Sequence, residues 1–473
     1  MKTFSACIGG EFRELKSTFE VTKPYNGDII AQCSLAGKSE LEEAIKLAQD
    51  CQEEMAKLPS HRKAEILSGI ANGLKDERDY LANLLAQEAG KPLKYALGEV
   101  DRAIQTYKIA SEECKRLPSE FIQLDWTPAG EGKEGLVKYF PVGLVAAISP
   151  FNFPLNLTSH KIAPAIASGC PIILKPARST PLSALELARI AYSTSLPKGA
   201  LSILPMDRES GNQLVTDSRF NLLTFTGSPQ VGWKMKANAG KKKVVLELGG
   251  NAGVIVSDTA NLQHAVNKCL TGAFAYSGQV CIHTQRIYVH ENVFKEFVLQ
   301  LAEKTKELKI GDPTNPETDI STMIDDGNTS RVKEWVDEAI ANGAKIIEGG
   351  KIRGNVFEPT IITNTKPEMK VCAEEVFGPV VIVEPYKLFN QAIDAINDSQ
   401  FGLQAGVFTN RLNEEHEAFN KLRVGGVIIN DVPTFRVDHM PYGGVKDSGL
   451  GREGVKYAIH DMMEPRILVR SQS

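Results

Sequence analysis

The chemistry in this chain of 473 residues starts at Cys281, which closes the run Tyr276-Ser277-Gly278-Gln279-Val280-Cys281 ahead of a strand pattern near Arg286. A thiol on a loop between rigid elements suits covalent attack on a carbonyl, because sulfur is strongly nucleophilic even when mostly protonated. The chain has eight cysteines, and any one of them taken alone is more often an inert buried residue. Glu247 ends the apolar run Val244-Val245-Leu246. Buried there, its pKa would rise toward that of a useful general base; exposed, it would be an ordinary strand-end glutamate. Asn152, in Ser149-Pro150-Phe151-Asn152-Phe153-Pro154, offers either an amide donor for a developing oxyanion or a turn bonded to its own backbone. Lys175 follows Leu174 where a strand ends, a place suited to a phosphate or ribose, or to a solvated lysine. Gly227-Ser228 ends another strand and opens a helix, giving an anion site or a plain turn.

These residues need a scaffold, and the apolar patterning supplies one. The first third reads as helical. Residues 38–57 have helical spacing, Ser60 is placed as the N-cap of the next helix, and the face Leu81, Leu84, Leu85, Ala89 stops at Gly90 and Pro92. From Leu144 the texture changes. Strands over 144–148, 171–174, 201–204 and 222–225 alternate with helices over 155–167 and 182–192. Short apolar runs separated by helices indicate a parallel sheet covered on both faces, a doubly wound α/β domain that places ligands at the carboxyl ends of its strands. Asn152, Lys175, Gly227-Ser228 and Glu247 all fall on that edge. A second alternation, with strands over 253–256 and 286–289 and helices over 265–274 and 294–308, sets a second α/β domain at about 249–445. Two β-type segments outside both sheets, 134–139 and 466–470, read as an intersubunit arm.

Composition narrows the function further. The 54 basic and 58 acidic residues leave a net charge of -4, so no nucleic-acid partner is expected, and Lys241-Lys242-Lys243 reads as a solvated loop before a strand. Residues 1–21 carry Glu11, Glu14 and Glu20 without an apolar run, so a signal peptide is not expected. No stretch reaches the roughly 18 apolar residues of a membrane span. The cysteines show neither a CxxC pair nor zinc-type spacing, and no two histidines have helix-ligand spacing, so no metal site is expected. Free thiols point to a reducing, cytoplasmic setting. One pattern misleads: Gly449-Leu450-Gly451-Arg452-Glu453-Gly454 matches the dinucleotide fingerprint, but it follows a turn-rich run rather than a strand.

Taken together, the motifs resemble the aldehyde dehydrogenase superfamily nearly end to end, the lactaldehyde and semialdehyde types most. Ser277-Gly278-Gln279-Val280-Cys281 matches the nucleophile motif and Leu246-Glu247-Leu248-Gly249-Gly250 the general-base motif. Phe151-Asn152-Phe153-Pro154 looks like the oxyanion motif, with Phe151 where tryptophan is frequent, and Phe225-Thr226-Gly227-Ser228 like the cofactor turn. Glu375-Val376-Phe377-Gly378-Pro379 resembles the segment that holds the nicotinamide ribose, and residues 441–449 match the late glycine-rich motif. The resemblance implies that Cys281 attacks the aldehyde, that Asn152 and the Cys281 N–H hold the oxyanion, and that Glu247 activates the water that hydrolyses the thioester. It implies NAD or NADP held by Lys175, Arg178, Gly227, Ser228, Glu375, Phe377 and Phe151. It also implies a dinucleotide-binding domain of 1–117 and 142–248, a catalytic domain of 249–445, and an oligomerisation arm of 118–141 and 446–473 that makes homodimers or homotetramers.

Arg178 departs from the NAD-preferring pattern, which often has glutamate there. An arginine attracts a 2′-phosphate, so NADP is expected to be accepted. His160, Arg436 and Phe435, with Asn156 and His439, form a polar set that suggests a small hydroxylated or anionic aldehyde, or else an ordinary rim. Two rivals remain: transfer of the acyl group to coenzyme A, which the presence of Glu247 disfavours, and a non-catalytic binding protein on the same fold.

Overall fold

The computed structural model describes residues 2–471; Met1, Gln472 and Ser473, at the ends of the expected first domain and arm, lie outside the described residues. The chain builds two α/β sheets and a small antiparallel one. In the first sheet, Lys243–Glu247, Leu222–Thr226, Val145–Ile148, Ile172–Lys175 and Leu201–Ile203 run parallel in that spatial order. The chain starts at the central strand Val145–Ile148, adds two strands on one side, then crosses to the other. That reversal leaves a crevice outside the carboxyl ends, and Asn152, Lys175, Gly227-Ser228 and Glu247 all follow or end these strands.

The second sheet carries six parallel strands, Thr360–Thr363, Val380–Tyr386, Thr284–His290, Ala252–Val256, Gln404–Phe408 and Gly426–Ile429, with Lys345–Glu348 antiparallel at one edge. Cys281 sits just before Thr284–His290, so the nucleophile candidate enters from this half and the acid Glu247 from the other.

The helix Asn156–Ser168 is buried along its whole length, under the first sheet, and so carries His160 and Lys161 into the interior. The helices Lys38–Lys57 and Leu182–Tyr192 have the expected bounds. Ser60 does not cap: it is the first residue of Ser60–Asp76, Pro59 occupies the cap, and no side chain satisfies it. The first third is also less helical than its pattern suggests. Thr3–Phe4, Thr18–Thr22 and Ile29–Ser34 form a three-stranded sheet, and Ala6–Ile8 and Glu11–Arg13 extend the first one. Such short strands take their register from distant partners, as Cys7 does from Ile203, so local periodicity does not reveal them.

The arm sheet pairs Met463–Ser471 with Lys133–Pro141, and that strand with Ser119–Gln123. Residues 446–462, assigned from the sequence to the arm, lie instead with the first sheet. Gly449–Leu450 pairs antiparallel with Leu246-Glu247, and Val455–Asp461 packs on Asn156–Ser168. The glycine pattern at 449–454 thus makes an edge strand beside Glu247 rather than a phosphate turn.

Candidate active site

The turn that presents Cys281 is imposed by packing. Tyr276, Ser277 and Gly278 have φ of 50°, 52° and 67°, three consecutive left-handed residues. Two of them carry side chains, at a cost of about 1–2 kcal/mol each. Buried bonds offset it: Tyr276 Oη donates to the Ala89 carbonyl at 3.0 Å, Ser277 Oγ to the Ser321 carbonyl at 2.7 Å, and the Ile324 N–H to Gln279 Oε1 at 2.9 Å. Gly278 leaves no room for a side chain, since a Cβ there would sit 2.1 Å from the Gly378 carbonyl oxygen. The result is one partly exposed thiol, whereas the other seven cysteines are buried. Burial pushes the Cys281 thiol up to about 11; Tyr442 and Arg436 pull it down, and the charges of Glu375 and Glu247 add to the rise.

Asn152 Nδ2 donates to the Gln279 carbonyl at 3.0 Å, two residues before the sulfur. An amide nitrogen carries two hydrogens, so one remains for an oxyanion formed at Cys281. Glu247 is 3% exposed, and both carboxylate oxygens are buried without a hydrogen-bond partner. A water-exposed strand-end glutamate is therefore excluded. Burial and the neighbouring Glu453 charge push its pKa well above the usual carboxylate range, against the pull of Arg436, Lys161 and Arg452.

Three residues that sequence reading passed over complete the cluster. Lys161 Nζ donates to Thr224 Oγ1 at 3.0 Å and Thr226 Oγ1 at 2.8 Å, and lies 3.6 Å from Glu453 Oε1. Glu453 Oε2 accepts from Arg436 Nη2 at 2.9 Å, and the Arg436 guanidinium lies 3.6 Å from the Tyr442 ring centroid. Tyr442 Oη in turn is 3.0 Å from Cys281 Sγ. Lys161 carried a weak signal, the only lysine of a helix whose second half, Ile162 to Ala167, is apolar; a buried cation needs a partner, and Glu453 supplies it.

Of the expected substrate residues, Arg436 joins this cluster. His160 is buried, with Nε2 2.8 Å from Asp438 Oδ1, and Asp438 also accepts from Arg102 Nη2 at 2.7 Å. Burial and the Arg436 charge lower the His160 pKa. Phe435 is exposed.

Several of the expected cofactor residues meet. Glu375 Oε1 accepts from the Gly250 N–H at 2.8 Å, and burial lifts its pKa to about 7. The approach depends on Gly249, where a Cβ would stand 2.3 Å from Glu375 Oε2. Phe377, itself at φ 46°, meets Phe151 edge to face with centroids 5.9 Å apart. The Gly227 N–H is committed to the Glu247 carbonyl at 3.0 Å, while Ser228 caps Pro229–Asn238 by position alone, its side chain unbonded to the helix. Lys175 forms no salt bridge among the described residues, and burial lowers its pKa against the pull of the Asp207 charge. Arg178 is exposed, its guanidinium 4.9 Å from the Phe19 ring centroid. Lys175 without a salt-bridge partner, Glu375 against a glycine turn and a paired aromatic wall together fit a dinucleotide that brings its own phosphates and ribose hydroxyls.

The sequence profile of the aldehyde dehydrogenase family matches residues 12–468. A 3-sulfolactaldehyde dehydrogenase from Priestia aryabhattai is 43% identical over 470 residues, 99% of this chain and 98% of the relative. The crystal structure of aldehyde dehydrogenase 21 from Physcomitrella patens, in complex with the reaction product succinate, superposes with a TM-score of 0.98 at 43% identity, covering 99% of this chain and 98% of that one. A glyceraldehyde-3-phosphate dehydrogenase from Methanocaldococcus jannaschii, complexed with NADP, gives 0.92 at 37% identity over 97% of this chain and 100% of that one. Among the described residues no helix is long and apolar enough to cross a membrane, and no group of histidine, cysteine and acidic side chains could hold a metal.

Proposed function

The chain belongs to the aldehyde dehydrogenase family, and on that premise we propose that it oxidises a small hydroxylated or anionic aldehyde through Cys281, Asn152 and Glu247. It is an NAD(P)-dependent aldehyde dehydrogenase. The observation that carries the residue assignment is the pairing of one partly exposed thiol with one buried carboxylate that has no hydrogen-bond partner.

The Cys281 thiolate attacks the carbonyl carbon, and the charge moves to the carbonyl oxygen, where the free N–H of Asn152 and the Cys281 N–H stabilise it. Bound NAD or NADP supplies the hydride acceptor. Loss of hydride from the tetrahedral carbon restores the carbonyl as a thioester on Cys281. Glu247 then takes a proton from water, hydroxide adds to the thioester, and the acid leaves as sulfur recovers its electron pair. Lys175, Ser228, Glu375, Phe377 and Phe151 hold the cofactor, and the exposed Arg178 favours a 2′-phosphate.

The anionic end of the substrate is read by Arg436 and Arg102. Each is a cation held by a buried carboxylate, Arg436 by Glu453 and Arg102 by Asp438, and the relatives named above act on a sulfonated aldehyde or release succinate. The arm, taken as 118–141 with 463–473, makes a homodimer or homotetramer. Ile467 and Val469, on one face of the strand, are each 48% exposed in the single chain, and Leu468 on the other face is 50% exposed, apolar surface that partner subunits would cover. Residues 1–117 with 142–248 are the cofactor domain and 249–445 the catalytic domain, with 446–462 packed on the first. Eight thiols without a disulfide support a cytoplasmic setting.

Initial rates with NAD and NADP on lactaldehyde, sulfonated and semialdehyde substrates, run beside Cys281→Ala, test this. Turnover in the wild type that vanishes in the variant is the expected result. Turnover that persists in the variant, or that needs coenzyme A and yields acyl-CoA, overturns the mechanism.

A further inference from the structure

Tyr442 stands out among the buried groups that this mechanism leaves unused. It is 3% exposed, and its backbone is clamped to Glu453 from both sides, N–H to carbonyl at 2.9 Å and carbonyl to N–H at 2.6 Å. Glu453 also fixes Arg436, whose guanidinium covers the Tyr442 ring. The ring therefore has little freedom, and its hydroxyl ends 3.0 Å from Cys281 Sγ.

We propose that Tyr442 is a further catalytic residue of this reaction: its hydroxyl donates a hydrogen bond to Cys281 Sγ as the thiolate, before attack on the aldehyde and again when sulfur leaves the thioester. The inference rests on Cys281 being the nucleophile.

The direction of donation follows from the surroundings. Burial and the Cys281 charge push the Tyr442 pKa far above its ordinary value, so the phenol keeps its proton and acts as a donor, never as the base. Sulfur faces Tyr442 and Arg436 on the favourable side and Glu375 and Glu247 on the unfavourable one. Burial is the main opposition to ionisation, and any charge on Glu375 or Glu247 adds to it, so the thiolate needs a donor. A cation over the ring face draws on its π electrons and strengthens the O–H as that donor. No proton moves through Tyr442. The thiol proton exchanges with solvent, and the hydrogen bond shifts that balance toward thiolate. When the C–S bond forms, the sulfur electron pair enters it, charge passes to the carbonyl oxygen, and the bond from Tyr442 weakens. When the C–S bond breaks in hydrolysis, the pair returns to sulfur and the bond is regained.

Iodoacetamide alkylation of Cys281 in the cofactor-free enzyme, followed across pH by mass spectrometry of its peptide, reads the thiolate fraction without turnover. Tyr442→Phe is expected to raise the midpoint by about 1–2 pH units, the worth of one hydrogen bond to a charged group. At pH 8 this slows alkylation by roughly tenfold or more. Replacing Tyr442 with 3,5-difluorotyrosine keeps the shape, gives a stronger donor and is expected to lower the midpoint, so the question stays decidable if Tyr442→Phe folds poorly. Midpoints within about 0.3 unit of wild type in the folded variants overturn the proposal. Full turnover by Cys281→Ser would instead overturn the nucleophile assignment, whatever Tyr442 does.

Discussion

Gly278→Ala isolates the contribution of the strained turn to catalysis. The added methyl carbon would start 2.1 Å from the Gly378 carbonyl oxygen, where contacts under 3.0 Å are essentially never seen. The two loops must part by roughly 1 Å, because a close-packed interior has no void to absorb the atom. Alanine at φ 67° adds a left-handed cost of about 1–2 kcal/mol. Stability should therefore fall by at least that amount. The larger effect is on rate. Cys281 lies three residues on, and Gly378 lies three residues from Glu375, so the displacement moves sulfur relative to the nicotinamide ribose support. A misplacement of about 1 Å costs on the order of 100-fold in rate. Steady-state kcat, with thermal unfolding as the stability readout, checks both parts. Gly354→Ala is the control: φ is +61° there, but nothing lies within 4 Å of the added carbon, so it should carry the backbone cost and keep its turnover. If Gly278→Ala kept kcat within about threefold of Gly354→Ala, positioning by this turn would be refuted.

Glu453→Gln removes a like charge from beside Glu247 and frees Lys161 and Arg436 to act on it. All three changes favour the Glu247 carboxylate, so the acid limb of the kcat profile, where activity is lost as pH falls and Glu247 protonates, should move down by about 1 unit or more. An unmoved or rising limb contradicts that account. Arg178→Glu should raise KM for NADP more than for NAD, and equal changes for both would show that the guanidinium does not meet the 2′-phosphate. Lys91 is fully buried, ion-paired with Glu99 and set 3.8 Å and 4.4 Å from the ring centroids of Phe153 and Tyr276. Lys91→Met should cost about 3–5 kcal/mol in chemical denaturation by stranding Glu99, and a loss below about 1 kcal/mol would show the pair to be dispensable.

The readable parts of this chain are those whose signal is local. Helix spacing over Lys38–Lys57 and Leu182–Tyr192 gave bounds that the fold keeps, and the alternation after Leu144 placed four site segments at the carboxyl ends of one sheet. The misses share a different cause. The short strands near the N-terminus, and Gly449–Leu450, are defined only by partners far along the chain. Tyr442 and Glu453 sit in a glycine-rich stretch with no periodicity, and they acquire meaning only once the Tyr442–Glu453 bridge brings them against Cys281 and Lys161. His160 read as a substrate residue or an ordinary rim residue because it is polar and follows the Asn152 segment, whereas the fold buries its helix along the whole length and pairs His160 with Asp438.

Two buried acids of opposite character explain why one of them can serve as the base. Burial works against ionising either Glu247 or Glu453. Glu453 has Lys161 and Arg436 within reach of its two oxygens, and together they hold it well below the usual carboxylate range. Glu247 has no such partner, and the fixed negative charge of Glu453 adds to its burial, so its proton is held far more tightly. The cluster thus splits two like groups into a permanent anion that anchors the cations and an acid that exchanges its proton. That division of labour is what water activation requires. It also accounts for Arg436 serving several neighbours at once: its pairing with Glu453 keeps it over Tyr442, where its charge favours both the phenol as donor and the thiolate beyond it. A substitution at Glu453 should therefore be felt in two separable places, the acid limb governed by Glu247 and the alkylation midpoint of Cys281. A variant that moved one and left the other untouched would show that the charges act independently rather than as a single cluster.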